Sequence, residues 1–348
     1  MTGKPKSGPG RAETAADDTA LAAFDAEVDK HSFLPHWRMN IPKNTEPRSR
    51  LQPMLWRWRV LREQLMRAGD LITVDDAGRR TLGLKNPGLH PLKSTTHTLQ
   101  MSIQLVLPGE VAAAHRHTMA ALRFVLEGPG AFTTVDGHKF LMEPGDLILT
   151  PNWSWHDHVN ESGAPIIWID GLDVPFSRAM DLMFIEEYSQ PQQPVERMVT
   201  TSTQAAATGP SAWYYKWADV EQRLRDEAAG SPPADGEVVV EYSASEGVPA
   251  LPTIACGVRM LRPGGTSRPR RRTSVEICHA VRGHGTTRVG DTALEWEAGD
   301  FFVIPNWSWH QHENRSPDAD AMLFFMSDRP ILEPFGLYRE DVAAGLER

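Results

Sequence analysis

Cysteine is scarce in this chain: 348 residues contain only Cys256 and Cys278. Two thiols cannot build a disulfide framework, and they suit a reducing compartment. No run approaches the roughly 20 apolar residues that span a bilayer. The opening MTGKPKSGPGRAE lacks the apolar core of a secretory leader. Positive charge is not in excess either, since 36 Lys+Arg against 45 Asp+Glu leave a formal −9. That balance argues against a general nucleic-acid partner. A soluble cytoplasmic protein is expected, with no membrane and no nucleic acid among its partners. What is present is an ordinary globular balance, 41% hydrophobic and 23% charged. At roughly 150 residues per domain the length suggests two domains, enough to bury a core without a disulfide or metal to hold it.

Texture changes along the chain. Residues 1–17, rich in Gly, Pro, Lys and Ser, read as a disordered tail. Residues 18–84 read as a helical arm, with DTALAAFDAEVDK at 18–30 and the amphipathic LQPMLWRWRVLREQLMRA at 51–68, for which Gly69 is the predicted stop. From 85 to 175, short apolar runs alternate with turn signals (LQMSIQLVL, LRFVLEG, AFTTVDG, LILTP), the pattern of an all-β sandwich or barrel. Strand texture fades over 176–235, a connection carrying the helical WADVEQRLRDEAAG, and returns over 236–330. A short helix, EDVAAGLER, is expected to close the last segment, 331–348.

An internal repeat organises these pieces. PNWSWHDHVNES at 151–162 returns as PNWSWHQHENRS at 305–316, with nine of twelve positions identical at a spacing of 154 (305 − 151). MEPGDLILT and WEAGDFFVI precede the two copies, and PGEVAAAHRHT at 108–118 aligns with PGGTSRPRRRT at 263–273. A period this long is no solenoid repeat of 20–50 residues. It reports two copies of one β domain.

The first copy carries His115, His117 and His156. On a strand, side chains two residues apart share a face, so His115 and His117 can aim together into a barrel. An adjacent strand can bring His156 alongside. Three neutral imidazoles suit Zn, Cu, Fe or Ni better than Ca or Mg.

These residues resemble the cupin motifs: Gly109-x5-His115-x-His117, then Gly145-x5-Pro151 and His156-x3-Asn160. The carboxylate that usually follows the second His by four or five residues is absent, for Ala121 and Leu122 stand there. The longer blocks HRHTMAALRFVLEGPGAFTTVDG, EPGDLILTPNWSWHDH and WIDGLDVP, with LWRWRVLREQLMRAGDLI and RRTLGLKNPGL upstream, closely resemble the gentisate 1,2-dioxygenase family, which includes salicylate and 1-hydroxy-2-naphthoate dioxygenases. The resemblance implies an all-β bicupin, two jelly-roll barrels with an N-terminal helical arm and a helical connection, assembled as a homotetramer. It implies one Fe(II) per chain on His115, His117 and His156. With O2, that centre would open the ring of a 2-hydroxybenzoate between its carboxyl- and hydroxyl-bearing carbons. Gentisate enzymes usually carry a Tyr-Ala-Gly-like stretch where this chain has Gln100, Met101 and Ser102. The expected substrates therefore run from gentisate to salicylate and 5-substituted salicylates such as 5-nitrosalicylate.

Other roles follow. Arg123, flanked by apolar residues, suits bidentate binding of the substrate carboxylate. Arg79 or Arg80 on the arm can add a second cation, the family pattern favouring Arg79. His158 shares the parity of His156 and is the expected general base for the substrate hydroxyl. Asp170 can orient a neighbour or touch a ring substituent, and Gln104 can line the pocket. In the second copy Arg270 and Arg272 stand where His115 and His117 stand. A guanidinium cannot ligate a cation, so that barrel is expected to be metal-free. The alternatives are a different metal bicupin, of the oxalate-decarboxylase type, and a non-enzymatic ligand-binding bicupin.

Overall fold

A computed structural model describes residues 15–39, 46–202, 213–230, 236–243 and 247–343. The chain divides into two compact units, Met1–Glu46 and Pro47–Arg348. In the first, helix Ala15–Lys30 is followed by a short 3-10 turn, His36–Arg38. Asp25 receives Trp37 Nε1 at 3.1 Å and pairs with Arg38, tying turn to helix. The tail expected over 1–17 lies outside the described residues as far as residue 14.

The second unit contains two β-sandwiches, antiparallel but for Arg197–Val199, which pairs in parallel with His138–Phe140. In the first barrel, one six-stranded sheet runs Tyr214–Tyr215, Leu147–Thr150, Ala121–Glu127, Ile166–Leu172, Gln100–Val106, Thr81–Gly83. Its other sheet runs Ile185–Glu187, Val111–His117, His156–Asn160, Ala131–Val135, His138–Met142, Arg197–Val199. The second barrel repeats the plan with six and five strands. Its central strands Ala255–Leu261 and Ala321–Ser327 are buried at every residue. A strand covered on one face only would alternate. Here the second face is covered by the first barrel: Phe324 stacks on Phe124 with ring centroids 4.5 Å apart, inside a core cluster that joins both barrels.

The repeat reaches further upstream than the sequence showed. Strand Met54–Trp56 leads into helix Trp58–Leu71, as strand Tyr214–Tyr215 leads into helix Trp217–Ala229. Each piece serves the other copy's barrel. Met54–Trp56 pairs with Phe301–Val303 in the second barrel, and Tyr214–Tyr215 pairs with Leu147–Ile148 in the first. Trp58 N bonds Asp300 Oδ1 and Trp217 N bonds Asp146 Oδ1, both at 2.9 Å, so each acidic residue seats the first turn of a helix from outside. Both tryptophan rings rest on the neighbouring glycine. A Cβ on Gly299 would sit 2.5 Å from Trp58, and one on Gly145 2.6 Å from Trp217. The Gly-Asp repeated in each copy is thus a seat for a tryptophan-led helix.

Several expectations are corrected. Residues 54–56 are strand, and the helix predicted from 51 begins at Trp58 because the sheet edge captures the residues before it. Gly69 does not stop that helix, which continues to Leu71; a Cβ there would lie 3.1 Å from Leu105, so close packing explains the glycine. Residues 185–187, 197–199 and 214–215, within the expected connection, are strands of the first barrel. The closing helix is not seen where described: Glu340–Val342 is a strand paired with Arg270–Arg272, and 344–348 lie outside the described residues. The tryptophan pairs of both copies pack against an arginine. Arg116 lies over Trp153 and Trp155 (4.7 and 4.5 Å), and Arg271 over Trp307 and Trp309 (4.3 and 5.1 Å).

Candidate metal centre and its cavity

Strand pairing assembles the trio. Val111–His117 runs antiparallel to His156–Asn160 with His115 opposite His156, and His117 shares the face of His115. The ring centroids lie 5.3 Å (His115–His117), 4.3 Å (His115–His156) and 4.8 Å (His117–His156) apart. One nitrogen from each comes within 4.8 Å of the others. Backbone carbonyls orient the rings: His117 Nδ1 lies 2.8 Å from Met119 O and His156 Nδ1 3.0 Å from Ser154 O. A proton on Nδ1 leaves Nε2 as the lone pair, and His156 Nε2 is buried with no partner. His115 Nδ1 lies 3.1 Å from Ala113 O and 2.6 Å from Arg79 Nη2, which itself donates to Ala113 O at 2.9 Å; one carbonyl gathers both groups.

Burial, with Arg79 next in weight, pulls His115 down to about 3, and burial with Arg123 pulls His117 down to about 4. His156 is held well below its ordinary value, again by burial first. All three are neutral at physiological pH, the state in which an imidazole can ligate. No carboxylate joins them among the described residues. The trio can hold a metal ion, and its donor set fits one of the nitrogen-preferring transition metals.

The trio opens onto a cavity of about 210 Å³, whose wall also includes Arg79, Thr81, Ser102, Gln104, Arg123, Asp170 and Leu172. Arg123 is buried opposite Asp170 across two strands, with Nε 3.4 Å from Asp170 Oδ1 and Nη1 donating to Thr150 Oγ1 at 2.5 Å. Asp170 also accepts from Trp168 Nε1 at 3.0 Å, and burial pushes its carboxyl upward. Of the arginine pair, Arg79 reaches the cavity. Burial and the like charge of Arg123 bring it down to about 10, so it stays charged. Arg80 points the other way into Glu110, at 2.5 and 3.0 Å. Gln104 Nε2 is buried without a partner.

One residue stands apart from the expectation. His158 does not border the cavity; it lies behind His156 (centroids 5.9 Å) and against Trp168 (5.1 Å), with both ring nitrogens buried and unpartnered. Burial holds it well below its ordinary value, so it is neutral and a weaker base than a solvated imidazole. Gln100 is committed to the backbone, donating to Leu84 O (3.1 Å) and Met101 O (2.8 Å). Thr81, which the sequence reading missed, takes a place on the wall. It sits on an arm strand paired with Gln104, and no motif marks it.

The cupin domain family model matches residues 102–174 and 257–327, one stretch in each barrel. Gentisate 1,2 dioxygenase 1 of Aquipseudomonas alcaligenes is 37% identical over 332 residues, covering 91% of this chain and 95% of that protein. The chain belongs to the gentisate 1,2-dioxygenase family. Within that family, a 5-aminosalicylate 1,2-dioxygenase of a Comamonas species is 36% identical over 344 residues, covering 94% of this chain and 91% of its own. The crystal structure of a salicylate 1,2-dioxygenase from Pseudaminobacter salicylatoxidans superposes with a TM-score of 0.84 at 30% identity, covering 97% of this chain and 99% of that one. The protein is accordingly a gentisate 1,2-dioxygenase-like ring-cleaving enzyme. Its bicupin fold is that of the family. No helix among the described residues is long and apolar enough to cross a membrane.

Proposed function

We propose that the chain uses Fe(II) and O2 to open the ring of a 2-hydroxybenzoate between the carboxyl- and hydroxyl-bearing carbons, with gentisate, salicylate and 5-substituted salicylates as the substrate class. The observation that carries this reading is the all-nitrogen trio, without a carboxylate, facing two guanidinium groups in one cavity. A carboxylate-bearing site of the oxalate-decarboxylase type lacks that feature. His115, His117 and His156 would hold the metal. When bound, ferrous ion supplies the one-electron chemistry that dioxygen needs and open positions for a chelating acid.

The protein's own groups do the rest. Three neutral ligands leave the dication's charge intact, and a dianionic chelate offsets it, which matters where unpaired buried charge is costly. Arg123, aligned by Asp170 and Thr150, binds the substrate carboxylate, and Arg79 adds a second cation at the mouth. Gln104 Nε2, buried without a partner, donates to an oxygen substituent on the ring. Thr81 and Ser102 put hydroxyls on the wall where a ring substituent would lie, which favours polar substituents such as hydroxyl, amino or nitro.

His158 is the proposed acceptor of the substrate hydroxyl proton. A neutral imidazole with both nitrogens buried and unpartnered leaves an unmet donor and an unmet acceptor; because His156 stands between it and the cavity, this role requires a side-chain shift or a bridging water to reach the substrate hydroxyl. Both oxygen atoms of O2 end in the product, so no external reductant is needed. By family resemblance the working assembly is a homotetramer. The cytoplasm is the proposed location, where the two buried free thiols stay reduced.

Oxygen uptake by the iron-loaded enzyme on gentisate, salicylate, 5-aminosalicylate and 5-nitrosalicylate tests the reading. Uptake matched by loss of the aromatic absorbance is expected for at least one of them. No uptake on any, with iron bound, would overturn it.

A further inference from the structure

The second barrel repeats the pairing of the first around different chemistry. Arg270 lies opposite His310 as His115 lies opposite His156, at offsets of 155 (270 − 115) and 154 (310 − 156). By the same offset Arg272 replaces His117. One donor survives. His310 is buried, its Nδ1 lies 3.0 Å from Ser308 O, just as His156 Nδ1 lies 3.0 Å from Ser154 O, and its Nε2 is buried without a partner.

A new donor accompanies it. Glu276 stands four residues after Arg272, as Ala121 stands four after His117. Its buried carboxylate receives Arg272 Nη1 at 3.2 Å and Arg259 Nη2 at 2.7 Å. Arg259 itself replaces Gln104 of the first barrel (259 − 104 = 155). Glu237 meets Arg270 at 3.0 Å, and Glu340 of the closing strand meets Arg272 at 3.0 Å. Three arginines (259, 270, 272) thus face three glutamates (237, 276, 340), and their formal charges cancel.

We propose that the second barrel is a metal site whose ion has been replaced from within: the Arg272 guanidinium supplies the cation, while Glu276 and His310 remain set as a donor pair. A buried carboxylate needs a positive partner. A guanidinium meets that need with charge and directed N–H groups but offers no lone pair. The barrel keeps its shape with no metal, and Arg270→His with Arg272→His would complete a four-donor site with Glu276 and His310. The inference stands whichever ion the first barrel takes.

The test uses the full chain in a background that removes the first site. His117→Ala and the triple variant His117→Ala, Arg270→His, Arg272→His are each titrated with Co(II) and Zn(II) after chelator treatment. The triple variant should bind one ion per chain, with Co(II) ligand-field absorption and a chelator-reversible rise in melting temperature. His117→Ala alone should bind none. Adding Glu276→Gln should weaken Co(II) binding at least tenfold. If the triple variant does not fold, Arg272→His on the same background is titrated instead, since it leaves Arg270 on Glu237. A folded variant, triple or single, that binds no more metal than His117→Ala overturns the proposal, as does binding indifferent to Glu276→Gln.

Discussion

One carbonyl behind each imidazole decides what the trio can do. Met119 O and Ser154 O hold His117 and His156 with Nε2 forward, so truncating a ring removes a donor without disturbing the sheet. His117→Ala is expected to abolish bound metal and turnover while the melting curve of the metal-free protein moves by only a few degrees, as metal analysis and calorimetry on one preparation will show. Arg123→Lys keeps the charge but loses the fork. Loss of a charged hydrogen bond worth roughly 1.5–3 kcal/mol corresponds to about a 10- to 150-fold rise in KM, with kcat changed less. An unchanged KM would remove Arg123 from carboxylate binding.

Residues of this kind were largely legible in the sequence. Spacing of two on a strand gives a shared face, which marked His115 and His117, while the apolar flanks of Arg123 pointed it inward. Depth was not legible. Parity put His158 on the inner face but could not say that His156 would stand between it and the cavity. Arg79 and Arg80 are adjacent, so they point to opposite sides; their order became clear only when Glu110 engaged Arg80. Thr81 belongs to a three-residue strand on the arm, too short to carry a pattern.

Among the elements, the two tryptophan-led helices are the telling case. Trp58 sits on the second barrel's Gly299 and Trp217 on the first barrel's Gly145. Trp58→Ala and Trp217→Ala should therefore cost similar amounts, about 3 kcal/mol each, in urea denaturation. The first should expose the second barrel's edge to hydrogen exchange, and the second the first barrel's edge. Protection lost in the same barrel in both variants would contradict the exchange of pieces. The sequence showed both helices but not the strands before them, because MLW and YY are too short to declare a period. The described start of the expected C-terminal helix is a strand for a related reason: local propensity over EDV yields to the pairing that Arg270–Arg272 offers.

On the scale of the whole molecule, buried carboxyls of the second barrel shape the response to acid. Burial alone would raise Glu276, but Arg259 and then Arg272 outweigh it and hold the carboxyl down to about 2 against an ordinary 4.5. A carboxyl lowered on folding stabilises the fold fully above its unfolded value, and that contribution is lost as pH falls from about 4.5 towards 2. The loss is on the order of 3 kcal/mol. Asp328, pushed up to about 6 by burial, works in the opposite sense, losing its contribution as pH rises from 3.8 to about 6. The urea midpoint of the wild type should fall steeply below pH 4.5, and Glu276→Gln should flatten that limb. An unaltered limb would mean that the acid sensitivity lies elsewhere. The duplication itself was plain in PNWSWH, yet its extent was hidden, because the shared strand–helix units keep their backbone path and little of their sequence.

Since each barrel borrows its edge strand from the other half of the gene, the order of synthesis matters. A ribosome must deliver residues 214–215 before the first sandwich can be finished, although every histidine of its trio has long since emerged. Meanwhile Met54–Trp56, made early, must wait for Phe301–Ile304 near the end. Cutting the gene between its two copies would therefore yield two fragments that each lack an edge and carry the other's, and mixing them should restore what neither attains alone.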